Sequence, residues 1–253
     1  MPSFKITRQF KILLLILFAI SVASFTVAYF YYQAKNRAED PRIAEARFML
    51  QQYDDLMAET KYSDVFPLLD SIEAIFSKVP VYGNSFEPGI VYNNRGSAFL
   101  SMALYEVKDS VEKQQLLGFA QKNLDTCIQI YKGWIEKFSD LSREELMAKV
   151  SPFYSADDPA FQGKDAETIL NKRVDNLLLA QKETPRRLSV AYTNRGIIQR
   201  HQYRQTEAME SYITAIKLWK DNFTARNNFN VLMGIDPEDR SIVDQLFPPD
   251  KNK

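Results

Sequence analysis

This sequence has little of what catalysis and cross-linking require. One cysteine, Cys127, excludes an intramolecular disulfide. One histidine, His201, excludes a two-histidine metal site and any HExxH pattern. The eight glycines are scattered, and no Gly-rich phosphate loop forms among them. The acidic pairs Asp54-Asp55, Glu144-Glu145 and Asp157-Asp158 are neighbours in sequence. Adjacent helical positions point about 100° apart, so such pairs do not converge on a substrate. Neither charge is in excess, with 32 basic and 32 acidic residues. Lys5, Arg8 and Lys11 open the chain without an acid, which leaves 29 bases against 32 acids in residues 12–253. That balance lacks the basic stripe of a nucleic-acid binder. The expectation is a non-enzyme with no catalytic residues, no metal, no cofactor, no nucleic acid and no small-molecule substrate.

What the chain does have begins with a hydrophobic run. Residues 12–32 contain no charge, and a helix needs about 20 such residues to span hydrocarbon. Twelve of them are Leu, Ile, Val or Phe, which favours insertion by roughly 4–7 kcal/mol. Tyr29, Tyr31 and Tyr32 cluster at one end, as in an aromatic belt. A cleaved signal peptide is the rival, with Ser21-Val22-Ala23 as its cleavage site. Apolar residues continue past that point, beyond the usual length of such a region, which favours an uncleaved anchor. Basic residues are nearly balanced on its two sides. A short basic leader before a first span stays in the cytoplasm, so the expected localisation is a single-pass bacterial inner-membrane protein with its C-terminal domain periplasmic.

The second feature is a phrase that occurs twice. Tyr92, Asn94, Arg95 and Gly96 recur as Tyr192, Asn194, Arg195 and Gly196. Each copy is followed by an apolar stripe at i, i+4, i+7, i+8 and i+11: Ala120, Leu124, Cys127, Ile128, Tyr131, then Ala208, Tyr212, Ala215, Ile216, Trp219. That spacing is one face of an α-helix. Cys127 sits at a small-residue position of the stripe, where a buried packing thiol is expected. Glycine in a helix interior costs about 1 kcal/mol against alanine. Its repetition at 96 and 196 points to close helix approach.

These residues resemble the tetratricopeptide repeat (TPR). Tyr192, Gly196, Ala208, Tyr212 and Ala215 occupy its helix A and helix B signature places. Gly196 to Ala208 is 12 positions, whereas Gly96 to Ala120 is 24, so the first copy holds 12 extra residues. A weaker unit precedes both, with helices expected over 42–59 and 62–78, and 223–233 reads as a capping helix. The expected fold is all-α: TPR-like helical hairpins, an α-solenoid, after one N-terminal transmembrane helix. Its parts are a basic leader 1–11, the span 12–32, a linker 33–41, the repeat domain 42–234 and a C-terminal tail 235–253. The anchor, the Asn94-Arg95-Gly96 phrase with Leu100 and Ala103, and Ala225-Arg226-Asn227-Asn228 after Phe223 are also similar to the MxaK-like anchored repeat proteins that accompany MoxR-type ATPases. That resemblance implies a helper in assembly or maturation of an envelope complex.

Residues 139–184 form an insertion rich in breakers, opened by the capping box Ser142-Arg143-Glu144-Glu145. Regularity returns at 166–182. The insertion covers the groove, docks a partner, or only connects two hairpins. Asn222-Phe223-Thr224 fits a glycosylation sequon, and Ile242, Val243, Leu246 and Phe247 are positioned to pack back on the last helix. The TPR resemblance places Asn93, Asn94, Ser97 and Leu100 in the groove of the first repeat. It places Thr193, Asn194, Ile197, Arg200 and His201 in the second. Asn94 and Asn194 match positions that hydrogen-bond an extended peptide, since one amide offers both a donor and an acceptor. Bonding within the hairpin is the other reading for both. The expected function is a membrane-tethered scaffold for a protein or peptide partner; a permanent structural subunit is the alternative.

Overall fold

A computed structural model describes residues 8–238, and all regular structure among them is helical. Helix α1 spans Arg8–Arg37. Within its stretch Arg8–Tyr31 an 18-residue window reaches a mean hydropathy of 2.5 and buries nothing inside the protein. It is long and apolar enough to cross a membrane. The helix runs on through 33–37, where a linker was expected, and the chain turns at 38–40. Asp40 is buried and starts the folded domain. Its carboxylate accepts the Arg42 N–H at 3.0 Å, and Pro41 opens the single turn Pro41–Ile43. A lost proline N–H costs nothing in a first turn.

Helices α2 (Ala44–Ala58) and α3 (Val65–Lys78) form the first hairpin. Val65, Leu69, Ile72 and Phe76 are all buried along one stripe of α3. A short turn, α4 (Pro80–Gly83), leads into α5 (Glu87–Ser101), which widens into a π-helical turn at Met102–Glu106. Helix α6 (Ser110–Phe138) completes the second hairpin. The third pairs α8 (Ala166–His201) with α9 (Gln205–Leu218), and α10 (Phe223–Leu232) closes the series. The packing order follows the chain: α3 against α5, α6 against α8, α9 against α10. The first helices of successive hairpins also touch, α5 with α8 and α8 with α10. The residues expected to pack back from the tail, 242–247, lie outside the described residues.

The twelve extra residues of the first copy are now placed. Both hairpins use a three-residue loop, 107–109 and 202–204. The π turn carries the first helix ten residues past Gly96, against five past Gly196. Helix α6 starts ten residues before Ala120, whereas α9 starts three before Ala208. The extra length is helix on both sides of the loop.

The repeated phrase works on two neighbours at once. Tyr92 donates its hydroxyl to Glu73 at 2.7 Å, and Arg95 reaches Asp70 at 2.7 Å and Glu73 at 2.9 Å, all on α3. On its other side, a Cβ at Gly96 would lie 2.8 Å from Leu124 Cγ of α6. The second copy does so only in part, because the Arg195 Nε also donates to Ser211 Oγ of α9, the following helix, at 3.2 Å. Arg195 lies over the Tyr192 ring at 4.6 Å and reaches Asp125 of α6 at 3.6 Å. A Cβ at Gly196 would lie 2.5 Å from the Tyr212 ring of α9. In both copies arginine reaches the preceding helix and glycine admits the following one; Tyr92 bonds α3, whereas the Tyr192 ring lies under Lys132 of α6 at 5.6 Å.

The insertion carries the helix expected over 166–182. Its part 166–184 is the first half of α8, which continues through Pro185 without a break. Proline there removes one intrahelical bond, and neighbouring packing holds the helix together. Helix α7 (Arg143–Val150) has the expected capping box: Glu145 N–H donates to Ser142 Oγ, and Ser142 N–H to Glu145. Beyond α7 the chain folds back onto the start of the domain. Arg42 donates to the Phe153 carbonyl at 2.8 Å and lies over the rings of Tyr154 (4.7 Å) and Phe161 (4.5 Å). Deeper in, Arg173 of α8 pairs with Glu87 at the start of α5; their side chains are 1% and 8% exposed. Arg173 also donates to the Val81 carbonyl at 2.8 Å and stacks on Tyr82 at 4.1 Å. So the insertion is a buttress on the N-terminal half, not a free arm.

Candidate partner-binding face

The candidate residues lie on α5 and α8, which touch directly. The most informative contact joins them: Asn194 of α8 donates its amide to Ser97 Oγ of α5 at 3.2 Å. Asn194 therefore bonds across hairpins rather than within its own. Asn94 is half-buried; its main-chain carbonyl accepts the Tyr53 hydroxyl of α2 at 3.2 Å, while its side-chain amide makes no hydrogen bond among the described residues. Asn93 is half-buried too, and its Oδ1 is enclosed without a hydrogen-bond partner among the described residues. Enclosed polar atoms of this kind are uncommon, because desolvation costs about 1–3 kcal/mol. Ile197 is half-buried against the core.

Two expected groove residues have no surface to offer. Leu100 is 6% exposed and belongs to the core. Thr193 is 2% exposed; its hydroxyl donates to the Ser189 carbonyl at 2.9 Å and accepts from Asn222 at 2.9 Å. Thr193 faces the Asn222 cap of α10 rather than the open side. Asn222 is equally enclosed. It caps α10 through the Ala225 N–H and donates to Ser189 and Thr193, so its sequon amide is not offered for glycosylation.

Arg200 and His201 end α8 and are half-buried. Gln114 of α6 donates to the His201 main-chain carbonyl at 3.4 Å. Burial first, then the charges of Lys113 and Arg200, hold the His201 imidazole below its ordinary value of 6.5. The ring is therefore neutral at neutral pH and has hydrogen-bonding capacity without charge. Burial pushes the Cys127 thiol well up, which keeps it protonated and inert. Burial likewise raises Tyr212, to about 12, and its hydroxyl has no hydrogen-bond partner among the described residues. Among the described residues, no three of His, Cys, Asp and Glu gather as a metal site.

Sequence reasoning missed Asp40, Arg42, Glu87 and Arg173. The dipeptide Asp40-Pro41 carried a signal, an N-cap followed by proline. Nothing local marks Arg173 as the partner of a residue 86 positions away. What fold and face together define is an all-helical stack of hairpins behind one membrane-length helix, with unfilled amide groups where two stacked helices meet. Comparison with known protein families, characterised proteins and solved structures found no match for this chain.

Proposed function

We propose that this protein is a membrane-tethered scaffold whose TPR-like helical repeats hold a protein or peptide partner. On this reading α2, α5, α8 and α10 are the helix A members of an α-solenoid, and their exposed side is the groove. The carrying observation is the junction of α5 and α8, where Asn94, Ser97 and Asn194 gather on adjacent helices and the Asn94 amide is unbonded. An amide that holds no bond of the fold can bond a peptide backbone without disturbing it. Helix α1 is the anchor, the domain lies on the periplasmic side of a bacterial inner membrane, and the role is assembly or maturation of an envelope complex.

The test is crosslinking in native membranes followed by co-purification, comparing wild type with Asn94→Ala. A partner reduced at least ten-fold in the variant, at unchanged helicity, supports groove binding. Full retention sinks it. The structural-subunit reading draws on one observation: Tyr105 (75% exposed), Val111 and Tyr203 (86%) stand out at the hairpin turns. Apolar surface of that kind marks interaction sites when contiguous. Partner loss in Tyr105→Ser, Tyr203→Ser but not in Asn94→Ala favours that alternative.

A further inference from the structure

The segment after α10 is held in a way that ordinary helix termination does not require. The helix ends on Gly234, which takes the left-handed conformation (φ 71°), and Ile235 N–H returns to the Asn230 carbonyl at 2.9 Å. Those bonds already satisfy the helix end. The chain then continues back along α10 to Glu238. There the Asn227 side chain accepts the Glu238 N–H at 2.9 Å and donates to the Glu238 carbonyl at 3.1 Å. Both groups of one residue point the same way only when its backbone is extended, as in a strand pairing with a neighbour. Arg226 completes the grip by donating Nε to the Glu238 carboxylate at 3.0 Å. Its other arm is fixed on the Lys220 carbonyl at 2.6 Å, so the guanidinium is preset rather than free. Asn227 thus reads an extended backbone and Arg226 an acidic side chain. Neither residue is buried, so the site is open to a competing chain.

We infer that Arg226 and Asn227 form a docking point for an extended acidic segment of a protein partner, and that the chain's own Glu238 occupies it as a built-in competitor. This rests on the groove reading above, because α10 adjoins α8 and extends the same row of helices. A partner strand crossing α5 and α8 reaches α10 and displaces residues 235–238. The self-contact then sets a threshold: only a partner already held at the α5–α8 junction gains enough to replace it.

The test uses the full chain in detergent. Hydrogen exchange at the Glu238 amide comes first; it is expected to quicken several-fold in Asn227→Ala. Exchange in wild type at the free-peptide rate overturns the self-contact. The second arm uses a fluorescein-labelled, capped peptide reproducing residues 234–239, followed by polarisation. Glu238→Pro removes the occupying N–H and carboxylate from an exposed position, so the fold is expected to keep its circular dichroism and melting temperature. The peptide binds Glu238→Pro at least ten-fold tighter than wild type, and adding Asn227→Ala cancels the gain. Equal binding to both chains, or none to either, overturns the inference. Partner loss in Asn94→Ala together with no peptide response overturns this inference alone. The reverse pattern keeps the α10 site and removes the groove reading.

Discussion

The hairpin α5–α6 and the hairpin α8–α9 carry the same phrase yet differ in almost every dimension around it. In the first, the glycine faces Leu124, a flexible aliphatic chain; in the second it faces the flat ring of Tyr212. The first turns through a π-helical segment, the second through Tyr203 in a left-handed conformation (φ 62°). Helix α5 begins five residues before its tyrosine, while α8 begins 26 residues before its own. What stays constant is an arginine ion pair to the helix before and a glycine that admits the helix after; Arg195 also donates to Ser211 of the helix after. The phrase therefore encodes stacking, and leaves helix length and turn type to other residues.

The largest break in that comparison comes from the long reach of α8. Glu87→Ala strands Arg173 as a buried, uncompensated charge and is expected to cost about 3–5 kcal/mol in urea unfolding. The double replacement Glu87→Leu, Arg173→Met recovers most of the loss, since an apolar pair of similar volume needs no partner. No recovery means that the pair does more than neutralise charge there.

Next come the two glycines. Gly196→Ala drives a methyl into the stiff Tyr212 ring and is expected to cost about 3 kcal/mol. Gly96→Ala meets the Leu124 side chain, which can shift, and the Ala120 carbonyl oxygen at 3.2 Å, and is expected to cost about 1–2 kcal/mol. Equal losses in matched urea melts mean that ring rigidity does not separate the hairpins. A smaller effect of opposite sign is expected at the turn. Tyr203→Gly relieves a left-handed tyrosine and stabilises by about 1 kcal/mol. A lower melting temperature in that variant shows that the exposed ring contributes packing.

The smallest effects are protonic. The folded His201 value lies below 6.5, so the unfolded chain binds the proton more readily. Its contribution is present above 6.5 and is lost as pH falls through the folded value. His201→Gln removes this dependence from the melting temperature. Asp40 follows the same sign at lower pH. Burial raises it, but bonds and charge from Arg42 outweigh that and hold it below 3.8. The contact between Arg42 and the insertion weakens once pH drops under that value, and Arg42→Ala flattens the acid limb of the stability profile.

Much of the fold was legible because it is local. Apolar residues at helical spacing marked α3, α6 and α9. The Ser142 capping box was readable within four positions. The face was legible only in part. Asn194 meets Ser97, both expected on one surface, but Thr193 and Leu100 turn inward. Periodicity tells which residues share a helix face. It does not tell which neighbour covers that face. Thr193 is lost to the surface because Asn222, 29 positions on, caps α10 over it. The buttress was invisible for the same reason: breakers at 151–163 read as loop, and only the fold lays them on Arg42.

By itself the sequence determined the helices, the membrane-length run and the repeated stacking phrase, because each depends on residues within a few turns of one another. The tertiary structure alone decided that α8 runs unbroken through Pro185, that Arg173 finds Glu87, and that Glu238 lies in the grasp of Asn227. Those outcomes depend on which surfaces remain to be covered once the hairpins have stacked, a quantity set by the whole chain and by no window of it.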